Sequence, residues 1–184
     1  MEVLQAIKTR RSVRYYKKMP VARKKLEAVL EAAHWAPSWA NTQCWRFVVV
    51  GDNAIKDKLA DTMGVNRAAA GVRQAPLLIV ACAETEKSGF ISGRPSTDKG
   101  DWYMYDVALA VGNLVLAAHS LGLGTVHIGL FDAEKAAAIL AVPPGFRVVA
   151  LTPLGHLAKQ ARITPRKELE EIVFQNRYGQ SWQG

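Results

Sequence analysis

The feature that most constrains the fold is an uncharged run of the chain from Val107 to Phe131. The apolar pattern predicts one long helix over residues 102–121, which Gly122 and Gly124 end. This helix has no polar face, so it must be covered on most of its sides. We interpret the run as a buried helix followed by a buried strand, and not as a membrane span, because polar residues interrupt it. These residues are Asn113, His119, Ser120 and His127, and we expect His119 to be a core histidine.

The rest of the chain alternates between short apolar strands and amphipathic helices. Strands are predicted at residues 45–50, 76–83, 125–128 and 146–154, and their weak polar alternation indicates burial on both faces. Helices are predicted at residues 2–9, 20–34, 53–63, 65–73, 132–140 and 166–175, with Asp132 as an N-cap. Residues 84–101 are polar and form one long loop, and we expect such a loop to be functional or mobile. The pattern indicates one α/β or α+β domain over residues 1–184, with helices on both sides of a sheet.

Positive charge is concentrated at the start of the chain. The 184 residues carry a net charge of +8, and residues 1–25 hold nine basic side chains against the single acid Glu2, while the remainder is balanced. A local excess indicates a local anionic partner, such as a phosphate, a nucleic acid or a membrane surface, although a solvated basic helix face would look the same. Only two cysteines occur, Cys44 and Cys82, and no signal-peptide pattern opens the chain, so we expect a cytoplasmic protein.

Two segments carry residue types suited to a phosphate-bearing heteroaromatic ligand. Residues 10–14 (RRSVR) offer planar guanidinium groups and a hydroxyl, which suit phosphate oxygens. Residues 36–45 (APSWANTQCW) place hydroxyl and amide groups between two tryptophans at a strand entrance, which suits a flat, hydrogen-bonding ring. A loop held by internal hydrogen bonds, with Trp45 in the core, would explain the residue types of the second segment equally well. Zinc-ligand spacings, a serine-nucleophile elbow and a Walker A sequence are absent from the printed sequence.

Taken together, these segments resemble the nitroreductase family of FMN-dependent oxidoreductases. The resemblance runs in order through RRSVRYY at 10–16, PSWANTQCW at 37–45, VGNL at 111–114, IGLFD at 128–132 and PRK at 165–167. It implies an α+β, nitroreductase-like fold with a central, mostly antiparallel sheet of four to five strands and helices on both faces. It also implies a homodimer with FMN at the interface, and NADH or NADPH as the electron donor.

The family pattern also implies which residues form the site. The cofactor-binding set is Arg10, Arg11, Ser12, Arg14, Pro37, Ser38, Trp39, Asn41, Gln43, Asn66, Ile128, Gly129, Leu130, Arg166 and Lys167. Pro37, Ser38 and Trp39 would come from the other subunit. No side chain need act as acid or base, because flavin N5 carries the chemistry. We expect the acceptor pocket to be lined by Trp39, Phe90, Trp102 and Tyr103, from their position in or beside the two loops.

The implied reaction takes hydride from NAD(P)H onto flavin N5 and passes it by a ping-pong route to a nitroaromatic, a quinone or a related small acceptor. Two other functions remain open: a flavoprotein of the same fold that dehydrogenates a small metabolite or peptide, and a basic nucleic-acid-binding module. We expect neither a nucleic acid nor a membrane as partner. The chain departs from the family pattern at Cys44, where a proline is usual, and at the bulky Trp39.

Overall fold

The computed structural model describes residues 1–183 and forms six α-helices around a four-stranded sheet. The helices are α1 (Val3–Thr9), α2 (Arg23–His34), α3 (Asn53–Asp61), α4 (Ala69–Gln74), α5 (Tyr103–Ser120) and α6 (Ala133–Ile139). The strands are β1 (Trp45–Val50), β2 (Leu77–Glu84), β3 (Phe90–Ile91), β4 (Arg94–Pro95), β5 (Gly124–Thr125) and β6 (Phe146–Gly155). Two 3₁₀ turns lie at Trp39–Asn41 and Leu169–Glu171.

The main sheet is antiparallel throughout and has the strand order β1-β2-β6-β5, while β3 and β4 form a separate small hairpin. Strand β2 is central, and its residues alternate between two apolar cores. Ile79 and Ala81 belong to the core that contains α2 and α5. Leu78 and Val80 belong to the core that contains residues of α3, α4 and α6. The predicted α+β fold, with helices on both faces of an antiparallel sheet, is therefore confirmed.

Most predicted elements lie within a few residues of their expected bounds. Strand β1 coincides with the prediction, and the Asp132 side chain caps α6 by accepting a hydrogen bond from the Lys135 amide. The predicted burial of the strands on both faces is right for β2 and wrong for β1. Strand β1 is an edge strand, and Arg46 and Val49 remain exposed because no strand covers that side.

The predicted helix at 166–175 is wrong. Only the 3₁₀ turn at Leu169–Glu171 forms there, with Glu168 and Glu171 in a reciprocal capping box. Leu169 and Ile172, which would be its apolar stripe, are more than half exposed. A short helix is stable in proteins chiefly through the packing of an apolar face, and these side chains meet no such surface within residues 1–183.

The segment after α1 extends the sheet at the β5 edge. Ser12 pairs in parallel with Thr125, and the Val13 amide donates to the Thr125 carbonyl oxygen over 2.9 Å. Farther along, Tyr16 pairs with Leu157, and the phenol hydroxyl of Tyr16 donates to the Val13 carbonyl oxygen. Val13 and Tyr16 are buried, whereas Arg14 and Tyr15 face outward. The arginine-rich segment is therefore a fixed part of the fold.

The loop at 84–101 folds back on itself through the β3–β4 hairpin, and its two ends are joined. The Trp102 amide donates to the Ser88 carbonyl oxygen over 2.9 Å, and the Glu86 amide donates to the Asp101 carboxylate. Gly89 is needed there, because a Cβ atom would lie 2.5 Å from the Trp102 indole. Across residues 1–183, every helix is too short or too polar to cross a membrane.

Candidate functional site

A cluster of cations lines one cleft of about 290 Å³ beneath the start of the chain. Arg10 and Arg11 lie in its wall. Burial, then the charge of Arg166, then that of Arg11 hold the pKa of Arg10 below its ordinary value. Within residues 1–183, no acidic side chain pairs with any of these three arginines. Three like charges have been brought together without a counter-charge from this part of the chain.

Two guanidinium atoms in this cleft are buried without a partner in the described chain. They are Nη1 of Arg10 and Nε of Arg11. Arg11 is held in place by its other nitrogen, Nη1, which donates to the carbonyl oxygens of Lys8 at 2.7 Å and Arg10 at 2.8 Å. Buried donors without acceptors cost free energy, so such atoms usually indicate an absent ligand or ion. The donor set suits an oxyanion with several acceptor oxygens.

His119 also lines this cleft, at the end of α5. The Thr9 hydroxyl gives its only proton to the Gln5 carbonyl oxygen, at 2.6 Å. The 2.8 Å contact between Thr9 Oγ1 and His119 Nε2 therefore requires a proton on Nε2. Burial, then Arg10 and Arg11, lower the pKa of His119, so the neutral ring is favoured. The expectation of a core histidine is wrong: His119 is half-buried in the cleft, because α5 ends beside the arginines.

Arg14 is exposed, but its backbone is tightly packed. A Cβ atom on Gly71, in α4, would lie 2.7 Å from the Arg14 carbonyl oxygen. The absence of a side chain at Gly71 therefore lets α4 approach the arginine segment.

Asn66 joins two predicted parts of the site. Its side-chain Nδ2 donates to the Leu130 carbonyl oxygen over 3.1 Å, and its Oδ1 accepts from the Ala68 amide over 3.0 Å. Ile128 is buried and pairs with Leu151 of β6 through two backbone hydrogen bonds of 3.0 Å. Gly129 and Leu130 follow it and are exposed. Ile128 thus anchors the 128–130 loop to the sheet, while Gly129 and Leu130 are open to solvent.

The turn at 37–45 has a strained backbone. Ala40, Asn41 and Gln43 have φ values of 43°, 54° and 47°, in the left-handed region that residues with side chains seldom adopt. The Gln43 amide donates to Ser38 Oγ over 3.0 Å, and the Gln43 side chain donates to Asn41 Oδ1 over 3.1 Å. Such strain persists where the surrounding structure fixes it, and it is concentrated at functional sites.

A buried carboxylate holds this turn. Asp106 lies in the first turn of α5 with no exposed surface. Its oxygens accept from the Trp39 amide at 3.1 and 3.2 Å, from the Thr42 hydroxyl at 3.4 Å and from the Cys44 thiol at 3.8 Å. The Ser88 hydroxyl donates to it as well. Burial, then the charge of Asp106 and the hydrogen bond to it, raise the pKa of Cys44 to about 12, so this thiol stays protonated.

The predicted acceptor-pocket residues fall into two places. Trp39 and Trp102 line one cleft of about 310 Å³ together with Tyr105, whose ring meets that of Trp102 edge-on at 5.4 Å. Pro37 and Ser38 are in the same cleft. Tyr103 lines a different cleft, of about 510 Å³, together with Gly129. Phe90 is in strand β3 of the small hairpin, and Lys167 is exposed in the C-terminal segment.

The sequence-based list missed two residues of the site. His119 was expected in the core, and the only signal of its role was its position in the last turn of α5. Asp106 had no assigned role, although a single acid bordering a 25-residue uncharged run is unusual and could have indicated a buried, bonded carboxylate. Which side chains would surround these two residues could not be read from the sequence.

Comparison with known proteins agrees with this architecture. The model of the nitroreductase family matches residues 7–156. A protein of Thermus thermophilus named NADH dehydrogenase is 32% identical over 190 residues, covering 90% of this chain and 91% of that protein. A Bacillus subtilis protein named FMN reductase [NAD(P)H] is 29% identical over 191 residues, covering 96% and 74%. A crystal structure of a nitroreductase family protein from Clostridium novyi NT has a TM-score of 0.76 and 33% identity, covering 99% and 97%.

The family match spans most of the chain and includes the arginine segment, the strained turn, α5 and the 128–130 loop. The chain belongs to the nitroreductase family. The C-terminal segment that carries Arg166 and Lys167 lies beyond the matched range.

Proposed function

We propose that this protein is an oxidoreductase that uses FMN to take hydride from NADH or NADPH and passes it by a ping-pong route to a nitroaromatic, a quinone or a related small acceptor. The family assignment and the names of its relatives support the enzyme class and the cofactors. The residue assignments below, the homodimer and the acceptor class go beyond that support and are proposed from the structure and from the family resemblance.

The observation that carries the proposal is the pair of buried, unpartnered guanidinium nitrogens of Arg10 and Arg11 in one cleft, where the charge of Arg166 also acts on Arg10. A phosphate dianion would neutralise the cluster and satisfy both nitrogens, so the residues present fit the phosphate end of FMN. The proximity of the other predicted groups supports the same assignment. Ser12 lies beside the cluster on the β5 edge, and Arg14 lies where α4 approaches.

Bound FMN would supply a ring that accepts and releases hydride, which no amino-acid side chain can do. The chain's own residues bind and orient it. Arg10, Arg11 and Arg166 would hold the phosphate, with Lys167 near it, and Arg14 would place a positive charge close to the ring and stabilise its reduced anion. Asn66 fixes the 128–130 loop through Leu130, so that Gly129 can present backbone groups.

The homodimer is supported by the distribution of the site over separate clefts. The cleft of Arg10 and the cleft of Trp39 share no lining residue, so one chain alone does not bring the two predicted parts together. A second copy that contributes Pro37, Ser38 and Trp39, with Asn41 and Gln43 supporting their turn, would complete the site. Large apolar side chains are exposed on α1, after α2 and in the C-terminal segment, among them Leu4, Trp35 and Tyr178. Such exposure is typical of an interface.

An absorbance spectrum of the purified protein tests the proposal. The protein, as isolated or after addition of FMN, should show the flavin bands, and NADH or NADPH should bleach them without oxygen. Reoxidation by a panel of nitroaromatics and quinones, with parallel double-reciprocal plots, would support the ping-pong route. A protein that remains colourless in excess FMN would overturn the proposal. Dehydrogenation of a metabolite or peptide, with no turnover of these acceptors, would favour the alternative flavoprotein function.

A cytoplasmic location remains a prediction from the cysteine content of the sequence.

A further inference from the structure

The buried carboxylate of Asp106 has no cation as partner within residues 1–183. Its hydrogen bonds come from an amide, two hydroxyls and a thiol, all of them neutral. Its position in the first turn of α5 adds the favourable end of the helix dipole. Burying a charge is costly even with such support, so a buried carboxylate is by itself weak evidence of a gain in stability. The network therefore needs an explanation other than stability.

The donors to Asp106 bracket the strained part of the 37–45 turn. They lie at Trp39, Thr42 and Cys44, while the left-handed residues are at 40, 41 and 43. Each donor is thus next to a residue that would relax to another conformation if released. The carboxylate supplies the fixed point that the strained backbone requires.

The same carboxylate also holds the beginning of the 84–101 loop. Ser88 is fully buried, its hydroxyl donates to Asp106, and its carbonyl oxygen accepts from the Trp102 amide. Trp39 and Trp102, which both line one cleft, are therefore both connected to Asp106 through one or two hydrogen bonds.

We propose that Asp106 is a positioning residue, which sets the place of Trp39 relative to Trp102 and thereby the width of the acceptor cleft. The expected effect of Asp106 on the KM for the acceptor rests on the proposed oxidoreductase function. Its role in holding the 37–45 turn does not depend on that function. Asp106 itself is fully buried beneath the cleft. It acts through the turn that it holds.

Hydrogen exchange of the protein without added ligand tests the structural part. In Asp106→Asn an amide group, which both donates and accepts, replaces a group that only accepts, so two or more donors lose their partner. We expect exchange of the 38–44 amides to accelerate by about tenfold or more, with little change in β2. The matched control is Asp98→Asn, which removes an equal charge from an exposed residue paired only with its neighbour Lys99. Equal protection of the 38–44 amides in both variants would overturn the proposal.

A double-mutant cycle with Trp39→Ala tests the kinetic part. If Asp106 acts through Trp39, each single variant should raise the KM for a quinone acceptor by about tenfold, and the double variant should raise it no further. Additive effects on KM would overturn the proposal.

Two milder variants keep the test decisive if Asp106→Asn does not fold. Ser88→Ala and Thr42→Val each remove one donor and leave the carboxylate in place. Each should accelerate exchange within residues 38–44 or 88–90 by about threefold to tenfold, and an unchanged pattern in both would contradict the proposal. A protein that binds no FMN would refute the proposed function, whereas the exchange result would still decide the role of Asp106.

Discussion

Gly124 lies directly against Val13, and a Cβ atom on Gly124 would come within 2.8 Å of the Cβ and both methyl groups of Val13. Gly124 has no positive φ, so the site requires glycine for space and not for backbone freedom. Val13 is the buried residue of the arginine segment, with Arg10, Arg11 and Arg14 on either side. The contact therefore sets how closely the arginines lie to the sheet.

Gly124→Ala should weaken both the fold and the phosphate site. The new methyl group meets the branched Cβ of Val13, which cannot swing aside, so overpacking should cost about 1–3 kcal/mol. For a protein of this size the melting temperature should fall by roughly 3–10 °C. Thermal unfolding and FMN titration check the result. Gly51→Ala is the control, since its nearest neighbour, Leu77, would be at an ordinary 3.5 Å. If the two variants had the same melting temperature and the same FMN affinity, the contact between Gly124 and Val13 would not have the proposed effect.

Arg10→Ala should lower the affinity for FMN by about 1–3 kcal/mol, the scale of a lost charge-assisted hydrogen bond. The fold should tolerate the change, because the substitution removes a partly desolvated, repelled cation. Arg23→Ala provides the comparison, since Arg23 is highly exposed and pairs only with Glu27 on its own helix. Equilibrium dialysis measures both. If Arg10→Ala retained flavin as well as the unmodified protein, the assignment of Arg10 to the phosphate site would be wrong.

The protein without FMN should lose stability as the pH falls. The pKa of His119 in the folded protein lies below its ordinary value of 6.5, first through burial and then through Arg10 and Arg11. The unfolded chain therefore takes up the proton first, and stability declines as the pH drops through about 6.5 towards the folded-state pKa. Melting temperatures at pH 7.5 and 5.5 should show this decline.

His119→Asn should make that decline shallower. Some slope should remain, because desolvation and the charge of Arg10 shift the pKa of His127 in the same direction. Added inorganic phosphate should also reduce the slope, since an anion beside the arginines favours the protonated ring. An identical pH dependence in His119→Asn and the unmodified protein would exclude His119 as a contributor.

Neither cysteine should react in the native protein. Burial raises the pKa of Cys82 to about 11, and burial together with Asp106 raises that of Cys44 to about 12. The thiolate is the reactive form, and both thiols are buried, so a disulfide reagent at pH 8 should label neither. Both should be labelled after denaturation. Rapid labelling of native protein would show that the turn at Cys44 opens readily.

The predicted elements that the structure confirms are those whose apolar pattern is compatible with only one kind of packing. The apolar run in β2 lies between flanking helices, and its residues pack alternately into both cores. The helix α5, which is uncharged after Asp106, crosses one of these cores. The C-terminal segment did not form the predicted helix because its apolar stripe has nothing to pack against in the part of the chain that the structure describes, and a sequence pattern cannot show whether a partner surface exists.

The sequence alone determined the two layers of helices, the buried strands and the cationic character of residues 1–25, because hydrophobic periodicity and charge are local properties of the chain. It also indicated, through ordered motifs, which segments belong to the site. Only the tertiary structure decided that the charge of Arg166 acts on Arg10, that Asn66 bonds to Leu130 and that Asp106 holds the turn of Trp39. These pairs of residues lie 64 to 156 positions apart in the chain, and their geometry depends on how the whole sheet and its helices pack together.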